Sequence, residues 1–194
     1  MQELQLLLEL ITMLVMDPRN GVLIALLLVG AVIDVRTYRI PNWLTLPGTA
    51  FALIYSVIVP FSPAAGFLWS LGGLFLGVMV MLPMYVLRAM GAGDVKLMAM
   101  AGAFLGVDAT LQAIVSTLIT GGILALGFAL YRGAAGRMLG NIRQLAMSTT
   151  VAILGGVCPS LQVTPAASVG KLPYGVSIGI GTIGSMLARQ LGYL

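Results

Sequence analysis

Two of the six acidic residues in this 194-residue chain stand near the ends of runs expected to enter the membrane: Asp34 in "VGAVIDVRTY" and Asp94 in "GAGDVKLMAMAGAFLG". An ionisable group in a membrane segment costs several kcal/mol by most estimates, so it usually marks a functional site with a partner. Two carboxyls facing one another cannot both be comfortably ionised, so they share one proton. The charged member then activates water as general base, and the protonated member donates to a substrate carbonyl oxygen. That is the chemistry of peptide hydrolysis without a nucleophilic side chain or a metal. With no His and a single Cys, Cys158, the chain can build neither a Cys-His zinc cluster nor a His-dependent triad. Cys158 reads as a small buried hydrophobe. Each acid also has a purely structural reading. Asp94 stands where a new helix begins and could serve only as its N-cap, and Asp34 could be a boundary acid paired with Arg36 or Arg39.

The elements that must position these acids lie in lipid. Hydrophobic residues make up 59% of the chain and charged residues 8%, and the mean hydropathy is +1.05. A soluble domain of this length would need more charge to cover its surface. The net charge of +4 does not point to nucleic acid, because the basic residues are scattered between apolar runs. Residues 4–16 are too few to cross comfortably, carry Glu9, and are expected to lie at the interface. Asp17-Pro18 offers an N-cap and a first-turn proline for a span reaching about Tyr38. Further spans are expected over residues 42–59, from the "PFSP" turn to about Arg88, over 94–106, over 109–131 with Asp108 as cap, and from "LPYG" to about Leu191. The fourth has 13 residues, about 20 Å as a helix, well short of the ~30 Å hydrocarbon core. Its start would sit in a recess that water can reach. The expected fold is thus all-α: one membrane-embedded domain over 1–194 with six transmembrane helices, an N-terminal interfacial segment over 1–16, and a connection over 132–172.

In that topology Arg36, Arg39, Arg88, Lys96, Arg132, Arg137, Arg143 and Lys171 share one side, which the positive-inside rule makes the cytoplasm. Asp34 and Asp94 alone among the acids approach that face. Gly73 with Gly77, Gly102 with Gly106, and Gly175 with Gly179 form small-xxx-small pairs that would let helix backbones approach closely.

The stretches "IDVRTYRIPN", "GAGDVK" about 60 residues later, and "KLPYG" resemble the type IV prepilin leader peptidases, membrane aspartyl proteases with a Gly-x-Gly-Asp signature. The match covers essentially the whole expected helical core. The resemblance implies that Asp34 and Asp94 are the catalytic pair, that Gly91 and Gly93 shape the turn presenting Asp94, and that Pro41, Asn42 and Lys96 are accompanying motif residues. It implies no cofactor and no metal. The expected substrate is a prepilin or pseudopilin whose short basic leader lies in the cytoplasm and is cut before an apolar helix, commonly after a Gly. Larger members carry two Cys-x-x-Cys pairs and also methylate the new N-terminus. Lacking those cysteines, this chain resembles the short form of tight-adherence pilus systems, and no methyltransferase activity is expected. The implied setting is the cell inner membrane, multi-pass, with lipid as surroundings, no nucleic-acid partner, and an active site facing the cytoplasm. Nothing in the sequence specifies an oligomeric state. Two other functions fit membrane aspartates: a proton- or ion-coupled transporter, or a non-enzymatic subunit of a secretion or pilus assembly machine. Reporter fusions after Arg39, after Arg88 and within residues 132–172 are expected to report cytoplasm, and a fusion after Phe61 the opposite side. A cytoplasmic signal after Phe61 contradicts this topology.

Overall fold

The computed structural model describes residues 17–59, 66–87, 90–131 and 173–192. The expected interfacial segment over 1–16, the connection over 132–172, and Arg88 and Lys171 lie outside the described residues. Contacts gather Met1–Gly121 with Pro173–Leu194 into one compact unit and Gly122–Leu172 into another. The residues discussed as core and site belong to the first.

Among the described residues every regular element is a helix: α1 Pro18–Thr37, α2 Asn42–Ile58, α3 Phe67–Val86, α4 Ala92–Tyr131 and α5 Tyr174–Gln190. Helix α1 starts where its sequence dictates. Asp17 stands in extended conformation and accepts the Arg19 N–H at 3.0 Å, and Pro18 takes a first-turn position where no N–H is needed. It ends at Tyr38, whose left-handed backbone (φ 51°) turns its N–H back to the Asp34 carbonyl at 2.8 Å. Three residues later α2 begins, the Pro41 carbonyl taking the Leu44 N–H at 3.2 Å.

The first part of α4 is the centre of the unit. Every residue from Leu97 to Gly106 is buried, as befits a helix that is apolar all round. Its sequence, "LMAMAGAFLG", supplies small side chains for close approach and methionines that fill irregular gaps. Helix α3 crosses it backbone to backbone: a Cβ on Gly73 would overlap the Gly102 carbonyl oxygen, and one on Gly77 would lie 2.8 Å from the Met98 carbonyl oxygen. On the other sides a Cβ on Gly48 of α2 would press on Met100, and one on Gly30 of α1 would meet Leu44 at 3.3 Å and Leu97 at 3.4 Å. The expected pairs Gly73/Gly77 and Gly102/Gly106 therefore meet each other. The Gly175/Gly179 pair meets α1, at Asp34 and at Ala31 with the Leu27 carbonyl. Apolar side chains such as Leu28, Val32, Ile54, Leu68, Phe75 and Ile119 face outward, the arrangement expected of helices solvated by lipid rather than water.

The expectation of six spans is not supported. Among the described residues three helices are long and apolar enough, by length and composition, to cross a membrane: Pro18–Thr37, Phe67–Val86 and the apolar part of α4, Ala92–Phe128, which turns at Gly106. Helices α2 and α5 have 17 residues each, about 25 Å of helix. The two spans expected over 94–106 and 109–131 are two helices that meet at Gly106, where the backbone leaves helical geometry within α4. There is no loop between them, and Asp108 lies within helical residues rather than capping a separate helix. Gly106 has φ 73° and ψ −178°, a conformation essentially restricted to glycine. The break is sharp, because the Thr110 hydroxyl lies 3.4 Å from the Gly102 carbonyl oxygen. In a straight helix those residues would be about 12 Å apart along the axis. The sequence shows a polar Asp108 and suggests a boundary there, but a single glycine with Trp69 packed on its Cα side makes the turn.

Gly73→Ala is expected to lower the thermal unfolding temperature in detergent, with a cost on the order of 2 kcal/mol or more from overpacking against backbone that cannot rotate away. Gly184→Ala, where a Cβ meets nothing within 4 Å, is expected to be neutral or to stabilise by up to about 1 kcal/mol through helix propensity. Equal melting temperatures for the two variants would contradict the close crossing of α3 and α4.

Candidate active site

Asp34 lies one turn before the end of α1 and is 4% exposed; Asp94 lies in the first turn of α4 and is 7% exposed. Each is held by a backbone N–H at a helix start. Helix α5 has Pro173 at its N-cap, a residue with no side-chain acceptor for the free N–H groups of the first turn. Asp34 fills that role from α1, its Oδ2 accepting the Gly175 N–H at 2.7 Å. Only glycine fits at 175, since a Cβ there would lie 2.9 Å from Asp34 Oδ2 and 3.0 Å from its Cβ. Asp94 acts within its own helix, its Oδ2 reaching back to accept the Gly91 N–H at 2.9 Å, the acid's half of a capping box. Among the described residues the Oδ1 of each acid has no hydrogen-bond partner.

The two carboxyls come from different backbone segments and lie within electrostatic reach of one another. Tyr174, the first residue of α5 and half-buried, is within the same reach of Asp94. The structural alternative for Asp34, pairing with Arg36 or Arg39, is not what the geometry gives: its partner is the Gly175 amide, and both arginines are exposed. The alternative for Asp94 is met in part, since its Oδ2 does cap α4.

The motif residues form the junction between these segments. Gly91 and Gly93, expected to shape the turn presenting Asp94, do so without positive φ, since among the described residues the glycines with positive φ are Gly106 and Gly192. Gly91 instead contributes its N–H. Gly93 permits close approach, as a Cβ there would lie 3.0 Å from the Ile40 Cβ and 3.3 Å from the Ile40 N and O atoms. Pro41 is the N-cap of α2 with φ −75° and ψ 145°, and Asn42 is its first residue. The Lys96 ammonium donates to Asn42 Oδ1 at 2.8 Å. Among the described residues no group of three His, Cys, Asp or Glu side chains is placed to hold a metal ion.

A sequence model of the type IV leader peptidase family matches residues 21–126, more than half of the chain. The chain belongs to the type IV leader peptidase family. No curated protein and no solved structure matches it. Membership in the leader peptidase family makes the protein a protease, and its long apolar helices are those of a membrane protein. The matched region contains both acids, the "IPN" connection and the "GAGDVK" stretch. Helix α5, which supplies Gly175 and Tyr174, lies beyond it. Sequence reasoning quoted "KLPYG" as the opening of a span but did not see Gly175 or Tyr174 as site residues. The signal was available: a helix opening on Pro has free N–H groups and no cap of its own, and so draws an anion from elsewhere. Ile40 could not be read as a contact for Gly93, because that contact joins residues distant in sequence.

Gly175→Ala is expected to leave the protein in the membrane but displace Asp34, cutting peptidase activity by about 10- to 100-fold, since a shift near 1 Å can cost that much. Initial rates on a leader-bearing substrate check this, with Gly184→Ala as the control. Undiminished activity in Gly175→Ala would contradict the α5 contact.

Proposed function

We propose that the chain is an aspartyl endopeptidase that removes the leader from prepilin-like substrates at the cytoplasmic face of the inner membrane, with Asp34 and Asp94 as a proton-sharing pair. The observation that carries this reading is the pair itself: two buried carboxyls from separate segments, each pinned through Oδ2 to a helix-start N–H, within electrostatic reach of one another. Pinning one oxygen leaves the other for water or substrate.

In the proposed reaction the ionised member takes a proton from water as its oxygen attacks the scissile carbonyl. The protonated member donates to the carbonyl oxygen, giving a neutral tetrahedral diol. Collapse returns a proton from one hydroxyl to the second carboxylate, while the leaving amine takes the proton that the first had gained. One proton remains on the pair, as at the start. The hydrolysed bond joins a basic leader to an apolar helix, and an active site near a membrane face suits a cut at that boundary. Basic residues Arg36, Arg39 and Lys96 flank the acids and support a cytoplasmic orientation. The open positions Gly91 and Ala92 at the start of α4 support access for water and an unwound strand.

Asp34→Asn and Asp94→Asn are each expected to abolish cleavage of a co-expressed prepilin while leaving the amount of inserted protein unchanged, read by immunoblot of membrane fractions. Normal processing by either variant would sink the dyad. Ion flux in proteoliposomes that either substitution abolished, with no cleavage by the wild type, would favour a transporter instead.

A further inference from the structure

Lys96 is the one exposed residue between Asp94 and Gly106, on a stretch of helix otherwise buried on every side. Lying two residues after Asp94, it does not share that acid's face of the helix, since neighbours on a helix surface are three or four residues apart. Its ammonium goes to a different segment, donating to Asn42 Oδ1 at 2.8 Å across 54 residues of sequence. Asn42 opens α2, and the connection before it starts at Tyr38, whose N–H is bonded to the Asp34 carbonyl at 2.8 Å. Besides the approach of Gly30 in α1 to Leu97 in α4, the segment that follows Asp34 and the start of α4 meet at two points. At one, Gly93 packs closely on the backbone and Cβ of Ile40, a contact of shape without a hydrogen bond. At the other, Lys96 bonds Asn42, and a hydrogen bond with a charged donor is directional and stronger than a neutral one.

We infer that Lys96 is a positioning residue: its bond to Asn42 fixes the register between the end of α1 and the start of α4, and so the placement of Asp34 against Asp94. This rests on the dyad reading proposed above. Lys96 touches neither carboxyl in this role and takes no part in proton transfer. Loosening the bond should misplace the pair in the transition state while leaving the substrate-binding surfaces as they are.

The test is steady-state cleavage, by purified full-length protein in detergent, of a synthetic substrate with a basic leader, a Gly at the cut and a following apolar helix. Lys96→Met and Asn42→Leu are each expected to lower kcat by about tenfold with KM unchanged within about twofold. The double variant should be no slower than the slower single within about twofold, because both remove the same bond. Lys96→Arg, which retains a charged donor, should recover most of the rate. Wild-type kcat in Lys96→Met, a rise in KM with kcat retained, or multiplicative losses in the double variant would each overturn the inference. An active wild type with unaffected Lys96→Met and inactive Asp34→Asn sinks the positioning role alone. A wild type that cleaves nothing, with substrate bound, sinks the dyad reading and this inference together.

Discussion

The two acids can be held in so apolar a molecule because two helix starts offer them backbone donors. A helix leaves its first N–H groups without internal partners, and α4 and α5 begin with Gly91 and Pro173, residues that bring no side-chain acceptor of their own. Asp94 and Asp34 supply what is lacking. The same bonds restrain each carboxyl through one oxygen, so stabilising the helix ends and orienting the acids are one act. The requirement runs both ways, since α5 without Asp34 would have a buried unpaired amide and Asp34 without α5 a buried unpaired carboxyl.

Around this pair the packing is set by glycine. Helix α3 reaches the first part of α4 at a distance that admits no Cβ at Gly73 or Gly102, and α5 reaches α1 at a distance that admits none at Gly175. Lipid offers no hydrophobic penalty for exposed leucine, so association depends on contact area and on backbone proximity rather than on burying apolar side chains. This accounts for a molecule whose outward positions hold Leu, Ile and Val while its inward ones mix Gly, Ala, Ser and Thr with Leu, Met and Phe. Serine and threonine fit the same scheme, turning their hydroxyls to carbonyls, as Ser70 does to Ala103 and Thr120 to Ser177 at 3.1 Å.

The leader peptidase signature is distributed along the chain, and the structure gives its separate pieces a common purpose. The "IPN" connection seats against Gly93, the Lys96 ammonium meets Asn42, and the opening of α5 closes on Asp34. Each contact joins segments that the sequence keeps tens of residues apart. Tyr174 enters the same neighbourhood only because Gly175, the residue after it, is bonded to Asp34.

By itself the sequence determined the membrane setting, the helical class and the start of α1 at Asp17-Pro18, and it singled out the two acids as the candidate site. These follow from composition, cap chemistry and the cost of a carboxyl in an apolar run, all of them local properties. The six spans read from it are not supported, because hydropathy marks apolar stretches but not the length of each helix, and α2 and α5 have 17 residues each. The break it placed between 106 and 109 is where the chain turns. The reversal at Gly106 rests on one backbone conformation and on Trp69 packed beside it. The sequence named Gly91 and Gly93 only as shaping a turn, without showing that one serves as a donor and the other as a gap. What only the tertiary structure decided is which partners are met across helices: the free amide at Gly175 for Asp34 and the Asn42 side-chain oxygen for Lys96. Spacing along a chain constrains a hydrogen bond within one helix, but a bond between helices depends on how their backbones cross, and glycine sets that crossing by what it leaves out.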